Sequence, residues 1–228
     1  MALGLAAEGA KVFLADVRET EGRRVSAEIR AHGGDVDFYV GDISQEETAR
    51  QMIETCIQRM TRIDILINNA GLRMEDHEDG VFEDWRCLRK QPTHELPIDQ
   101  WDLVIRVNLR AAYLCTHFAL PHLIRQGHGT IINTSSGAGT RGTAGKSAYC
   151  ASKHGIEGFT KAVAEEVRQH GISVNAIHPG RGRANVDGRG GADPGIVVPP
   201  VLFLCRQEEP NVTGQSLTGQ DWSETPGG

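Results

Sequence analysis

The sequence lacks any cysteine pair spaced as a metal or redox motif, any long apolar run, and any excess of basic charge. Its five cysteines, Cys56, Cys87, Cys115, Cys150 and Cys205, are scattered and odd in number, which speaks against a disulfide framework or a zinc site. The nine histidines are equally dispersed, none at ligand spacing with supporting carboxylates, so no metal is expected. With 24 basic against 30 acidic residues the net charge is −6. Binding of nucleic acid requires a basic patch to neutralise phosphate, so nucleic acid is not an expected partner. No apolar stretch approaches the ~20 residues that span a bilayer, and no charged leader with a cleavage site opens the chain. A soluble, cytoplasmic protein with no membrane partner is expected.

What is present fits one α/β domain over residues 1–228, long enough to bury about 70 % of its unfolded surface. Its most informative stretch is GTIINTSSGAGTRGTAGKSAYCASK, residues 129–153. Thr130 to Thr134 are largely β-branched and bounded by glycine, the pattern of a buried strand. Two serines end that strand, and a loop rich in Gly and Thr leads to a helical pattern that begins near Tyr149. Tyr149 and Lys153 stand four apart, so a helix puts them on one face. The spacing has a chemical use. A phenol of pKa about 10 needs roughly 4 kcal/mol of phenolate stabilisation to work near pH 7. An ammonium ~4 Å away at an effective dielectric near 20 supplies about that much. Ser136, at the strand end, is placed to donate a hydrogen bond to a carbonyl oxygen on which charge develops.

Together with Asn68-Asn69-Ala70-Gly71 after an apolar strand, Val107-Asn108-Leu109 within a helix, and Asn175-Ala176-Ile177-His178-Pro179-Gly180, these residues resemble the short-chain dehydrogenase/reductase family. The resemblance implies a single-domain Rossmann-like fold, a doubly wound parallel sheet. It implies an oxidoreductase transferring hydride between a nicotinamide cofactor and an alcohol or carbonyl substrate. Tyr149 would be the acid–base and Lys153 would depress its pKa and hold the nicotinamide ribose. Ser136 would orient the substrate oxygen. Asn108 would either hold a water that relays protons to Lys153 or serve as a buried amide bonded to backbone. A homodimer or homotetramer through helices near residues 100–126 and 149–170 is also implied.

The cofactor residues follow from strand ends, where open parallel sheets bind ligands. Asp16 ends the strand Lys11–Ala15 and suits the adenosine ribose hydroxyls. A carboxylate there repels a 2′-phosphate, which favours NAD over NADP, although Arg18 could pair with that phosphate. The resemblance assigns Asp42 and Ile43 to adenine; Asp42 or Ser44 also suits a helix cap, Ser44 with Glu47 forming a capping box. Asn69, Ala70 and Gly71 allow close backbone approach, and Pro179 and Gly180 would bend across the nicotinamide.

Three stretches depart from the family pattern. Residues 72–96 form a long polar insert that is either a substrate wall, an oligomer contact or a disordered loop. Residues 181–199 are a shortened, Gly-rich substrate lid with Arg181, Arg183 and Arg189; the expected threonine is absent and Asn185 is its candidate substitute. Most notably, the family's first strand and glycine-rich phosphate turn are missing, Met1 falling inside the helix that should follow, so the fold is expected to be N-terminally truncated. Loss of two or three charge-assisted phosphate bonds removes roughly 4–6 kcal/mol of binding, about a thousandfold or more in affinity. A start site further upstream, a non-catalytic relative serving as a binding or assembly module, and another mode of holding NAD are the three readings that remain.

Overall fold

The computed structural model describes residues 1–75, 87–179, 193–207, 211–220 and 222. The chain opens with α1 (Ala2–Ala7), β1 (Val12–Asp16), α2 (Glu19–Ala31), β2 (Val36–Val40) and α3 (Glu46–Met60). Apolar β3 (Ile65–Asn68) follows, then two three-residue strands, β4 (Arg73–Glu75) and β5 (Cys87–Arg89). The helix α4 (Ile98–Ile105) runs through one π turn, Arg106–Arg110, directly into α5 (Ala111–Gln126). The strand β6 (Gly129–Thr134), helix α6 (Ser147–Val167), strand β7 (Ile172–His178), helix α7 (Val198–Cys205) and strand β8 (Ser216–Thr218) complete it. The order is a strand–helix alternation, and every strand pair is parallel, which makes the architecture an α/β Rossmann-like fold. Among the described residues no helix is long and apolar enough to cross a membrane.

Alternation along the strands divides the core into layers. In β6, Ile131 joins the cluster built by Ala49, Met52, Ile53, Leu114, Leu123, Val163 and Val167 from α3, α5 and α6. Its neighbour Ile132 turns to the opposite face, against Val201 and Leu204 of α7. Likewise Phe13 and Ala15 of β1 pack on the first cluster, whereas Val12 and Leu14 pack with Ile29 and Val36 beneath α1 and α2. Helices therefore cover both faces, the doubly wound arrangement.

Two features differ from a single continuous sheet. Among the described residues β1 pairs only with β2, while β3, β6, β7 and β8 form a separate four-stranded ladder. Both ladders share the cluster carried by α3 and α5, so side-chain packing rather than a hydrogen-bond ladder joins them. The second feature is the insert. Its ends fold as the parallel pair β4–β5, with Arg73 opposite Cys87 and Glu75 opposite Arg89. The polar average of residues 72–96 conceals Leu72, Met74, Leu88 and Leu96, which pack with Trp101, Val104, Ala148 and Tyr149. Residues 76–86 lie outside the described part.

Smaller elements follow their local chemistry. Gly9, at φ +85°, closes α1 and Pro199–Pro200 open α7. The third strand begins at Ile65 rather than Ile63, the Asp64 carbonyl accepting the first bond to β6 from the Thr130 amide at 2.9 Å.

Candidate functional site

Because all strands run the same way, their carboxyl ends share one edge, and the candidate residues collect there. The exit of β6 delivers Ser135 and Ser136, and a short 3-10 turn at Gly137–Gly139 carries the chain on towards α6. Ser136 caps that turn, its Oγ accepting from the Ala138 amide at 3.2 Å. The same hydroxyl hydrogen-bonds the phenol of Tyr149, which α6 presents from its first turn. One turn further, Lys153 is 4 % exposed. Its Nζ donates to the Thr134 carbonyl at 2.6 Å and stands 5.8 Å from the centroid of the Tyr149 ring.

The electrostatics differ from the simple tyrosine–lysine pair. Desolvation of the half-buried ring pushes the Tyr149 phenol above its ordinary value. The Ser136 hydrogen bond and Arg73 work in the opposite direction, and Glu75 and Cys150 add to the rise. Lys153 gives its hydrogen bond to the Thr134 carbonyl rather than to the phenol. Burial pushes Lys153 itself down to about 8, against the opposing charge of Glu157.

Asn108 reaches this cluster from the π turn, a helical irregularity common at functional sites. It is 2 % exposed and fully bonded along one side: Oδ1 accepts from the Leu72 amide at 2.6 Å, while Nδ2 donates to the Leu72 carbonyl at 3.0 Å and to Ser152 Oγ at 3.1 Å. Ser152 in turn donates to the Tyr149 carbonyl at 2.8 Å. These are the bonds of a buried amide fastening backbone; both N–H groups are used, leaving a lone pair of Oδ1 for any water. Gly71 completes the meeting point, since a Cβ there would lie 3.3 Å from Asn108 Oδ1 and 3.9 Å from Lys153 Nζ. Replacing Asn108 by alanine strands the Leu72 amide and carbonyl. The expected loss is about 1–3 kcal/mol, and each kcal/mol lowers Tm by roughly 2–4 °C at this chain length. Thermal unfolding reads it directly, and an unchanged melt would contradict the bonding described.

The other strand ends carry the remaining candidates. Asp16 is exposed at the end of β1, its Oδ1 accepting from the Arg18 amide at 2.8 Å. Arg18 donates to Glu21 at 2.9 Å, so its guanidinium already has an anionic partner. Asp42 Oδ1 accepts from the Ser44 amide at 3.0 Å and from Ser44 Oγ at 2.6 Å. Burial pushes the Asp42 carboxyl up, but the Ser44 and Gln45 hydrogen bonds and the charge of Arg106 outweigh it and hold the group below its usual range. The Ser44–Glu47 capping box does not form, because the Ser44 hydroxyl is spent on Asp42 and Gln45 is the N-cap of α3. Ile43 packs on the main cluster, and Arg110 donates to the Ser44 carbonyl, tying the π turn to this loop. Asn69 and Ala70 are exposed, and Asn69 Oδ1 accepts from Thr134 Oγ1 at 3.2 Å. Pro179 follows β7, its carbonyl accepting from the Gln220 amide at 3.1 Å. Gly180, Arg181, Arg183, Asn185 and Arg189 lie outside the described residues.

Sequence reasoning passed over Thr134, Ser152 and Glu157, which hold Lys153 or its neighbours. For two of them the signal was spacing: Ser152 precedes Lys153 and Glu157 follows it by four. Among the described residues no group of three or more His, Cys, Asp or Glu side chains is placed to hold a metal ion.

Comparison with known proteins adds the following. Residues 1–191 match the family model described as short chain dehydrogenase. The chain is 36 % identical over 180 residues to a 3-oxoacyl-[acyl-carrier-protein] reductase of Synechocystis sp., covering 78 % of this chain and 67 % of that protein. A reductase of the same name from Thermotoga maritima is 32 % identical over 229 residues, with 93 % and 87 % covered. Among solved structures, a metagenomic short-chain oxidoreductase in complex with NADP superposes with a TM-score of 0.79 at 31 % identity, covering 95 % of this chain and 88 % of that one.

Proposed function

The chain belongs to the short-chain dehydrogenase family, oxidoreductases that bind NAD(P) and act on small molecules, and from that premise we propose a specific division of labour at its site. The chain reduces a carbonyl or oxidises a carbinol in the cytoplasm, with Tyr149 as the acid–base. The observation that carries this reading is the convergence of Ser136, Tyr149 and buried Lys153 at the exit of β6.

Tyr149 exchanges a proton with the substrate oxygen. Ser136 orients that oxygen, since its hydroxyl is already directed at the phenol. Lys153 keeps a positive charge beside the ring and is the group placed to take a ribose hydroxyl. Asn108 steadies the first turn of α6 through Ser152 and offers its remaining lone pair to a water. Several features fit a dinucleotide. Exposed Asp16, Asn69 and Ala70 lie on one edge, and the missing Cβ of Gly71 leaves room beside Lys153 Nζ. Asp16 with Asp42 and Ile43 would hold the adenosine end. Asn69 to Gly71, Tyr149, Lys153, Pro179 and Gly180 would hold the nicotinamide end. When bound, the nicotinamide supplies or accepts the hydride.

The preference for NAD over NADP rests on Asp16, whose carboxylate opposes a 2′-phosphate while Arg18 is held by Glu21. Exposed Tyr113 and Ile124 on α5 support self-association as a homodimer or homotetramer. Calorimetric titration of the chain with NAD and with NADP tests the assignment. Tighter binding of NAD supports it, a preference for NADP overturns the role of Asp16, and failure to bind either cofactor, both in this chain and in one extended upstream, overturns the enzymatic reading in favour of a binding or assembly module.

A further inference from the structure

Glu157 has no part in the division of labour just described, yet it is one of the most deeply placed carboxylates in the chain. It lies one helical turn beyond Lys153 on α6 and is 7 % exposed. Its Oε1 accepts from two hydroxyls, Ser135 at the exit of β6 and Ser216 of β8 at 3.0 Å. Gly139 closes the space around it. A Cβ on that glycine would lie 2.9 Å from Ser135 Oγ, 3.0 Å from Glu157 Cγ and 3.0 Å from the Lys153 carbonyl. The carboxylate is thus held in place from three elements.

A buried carboxylate is costly unless a cation answers it, and a neutral amide of the same shape would accept a hydroxyl equally well. What the amide lacks is charge. Among the described residues, the groups placed around Lys153 are Tyr149 and Glu157 on its own helix, the Thr134 carbonyl from β6, and Asn108 Oδ1 from the π turn beside Gly71. Of these, Glu157 is the acidic one. We propose that Glu157 is a positioning residue that keeps the buried Lys153 ammonium protonated and thereby sets the alkaline limit of the site. Consistent with this, burial is the influence that lowers Lys153 and Glu157 the charge that opposes it. The relevance to catalysis rests on the reading of Lys153 above, but the test reads the lysine itself.

The experiment is a titration of the full chain carrying 15N-labelled lysine, followed by NMR at the side-chain nitrogens across about pH 6 to 10. The Lys153 signal is identified by its absence in Lys153→Arg. The wild-type midpoint is expected at about 8. In Glu157→Gln it is expected to fall by about one unit or more, a tenfold or greater loss of proton affinity. Glu157→Asp retains the charge and is expected to restore most of the difference, which a purely structural role would not predict. Should the glutamine variant fail to fold, Glu157→Ala takes its place, with the same fall expected. An unchanged midpoint in a folded variant that lacks the carboxylate overturns the proposal. A shifted lysine in a chain that binds no NAD(P) would leave this inference standing and sink the enzymatic reading instead.

Discussion

Tyr149→Phe is expected to lower kcat by about 10²- to 10⁴-fold, the usual contribution of a positioned general acid–base. The substitution removes one oxygen and keeps the ring, so the packing of Tyr149 with Leu72, Met74 and Val104 is retained and the fold should be unaffected. Cofactor affinity should fall far less than kcat, which separates a chemical defect from a binding defect. The direction of the phenol's shift adds a second signature. Because desolvation raises Tyr149 above its ordinary value, the phenol is protonated at neutral pH and ready to donate. Carbonyl reduction should therefore proceed at neutral pH. Alcohol oxidation, which needs the phenolate, should rise with pH only up to about 8, where Lys153 loses its proton. A phenylalanine variant with wild-type kcat would remove Tyr149 from the mechanism.

Lys153→Met should separate stability from activity. The folded-state pKa of Lys153 is lowered from 10.5 to about 8, so the unfolded chain holds the proton more tightly than the native one. Linkage fixes the sign. Between about pH 8 and 10.5 stability rises with pH, and below about 8 the full penalty is present. At about 1.4 kcal/mol per unit that penalty is on the order of 3 kcal/mol. Methionine removes the charge but also strips the Thr134 carbonyl of its donor, at a cost of about 1 kcal/mol. A net gain of roughly 2 kcal/mol should raise Tm at pH 7 by about 4–8 °C. Turnover should fall with the loss of the ammonium. The stabilisation should shrink as pH approaches 10.5, and a variant less stable than wild type at pH 7 would show that the buried charge is not a burden.

The sequence announced those parts whose cause is local. GTIINT reads as a buried strand and forms one, and the four-residue spacing of Tyr149 and Lys153 puts both on the inner side of α6. The irregularity near Asn108 was legible because an amide among Val104, Val107 and Leu109 cannot continue an apolar stripe without a partner. Contacts between distant segments were not legible. Nothing near Lys153 in sequence marks the Thr134 carbonyl as its acceptor, or Ser216 as a donor to Glu157. Nor does strand character reveal which strands pair: β1 and β3 are both apolar, yet they belong to separate ladders. The insert misled because four apolar residues at long intervals, Leu72, Met74, Leu88 and Leu96, decide its packing against a polar average.

The π turn at Arg106–Arg110 also settles a question of helical phase. Val104 and Leu123 are both fully buried and 19 positions apart, from 104 to 123. In an uninterrupted α-helix that separation leaves them about 100° out of register, enough to turn one of the pair towards solvent. A π turn takes up one extra residue, about 100° of rotation, and returns them to the same side. The widened turn thus works as a phase corrector, letting one continuous rod serve the cluster under Tyr149 at one end and the cluster under β6 at the other. Excising a single residue from it would leave both helices intact and rotate one of them out of the core.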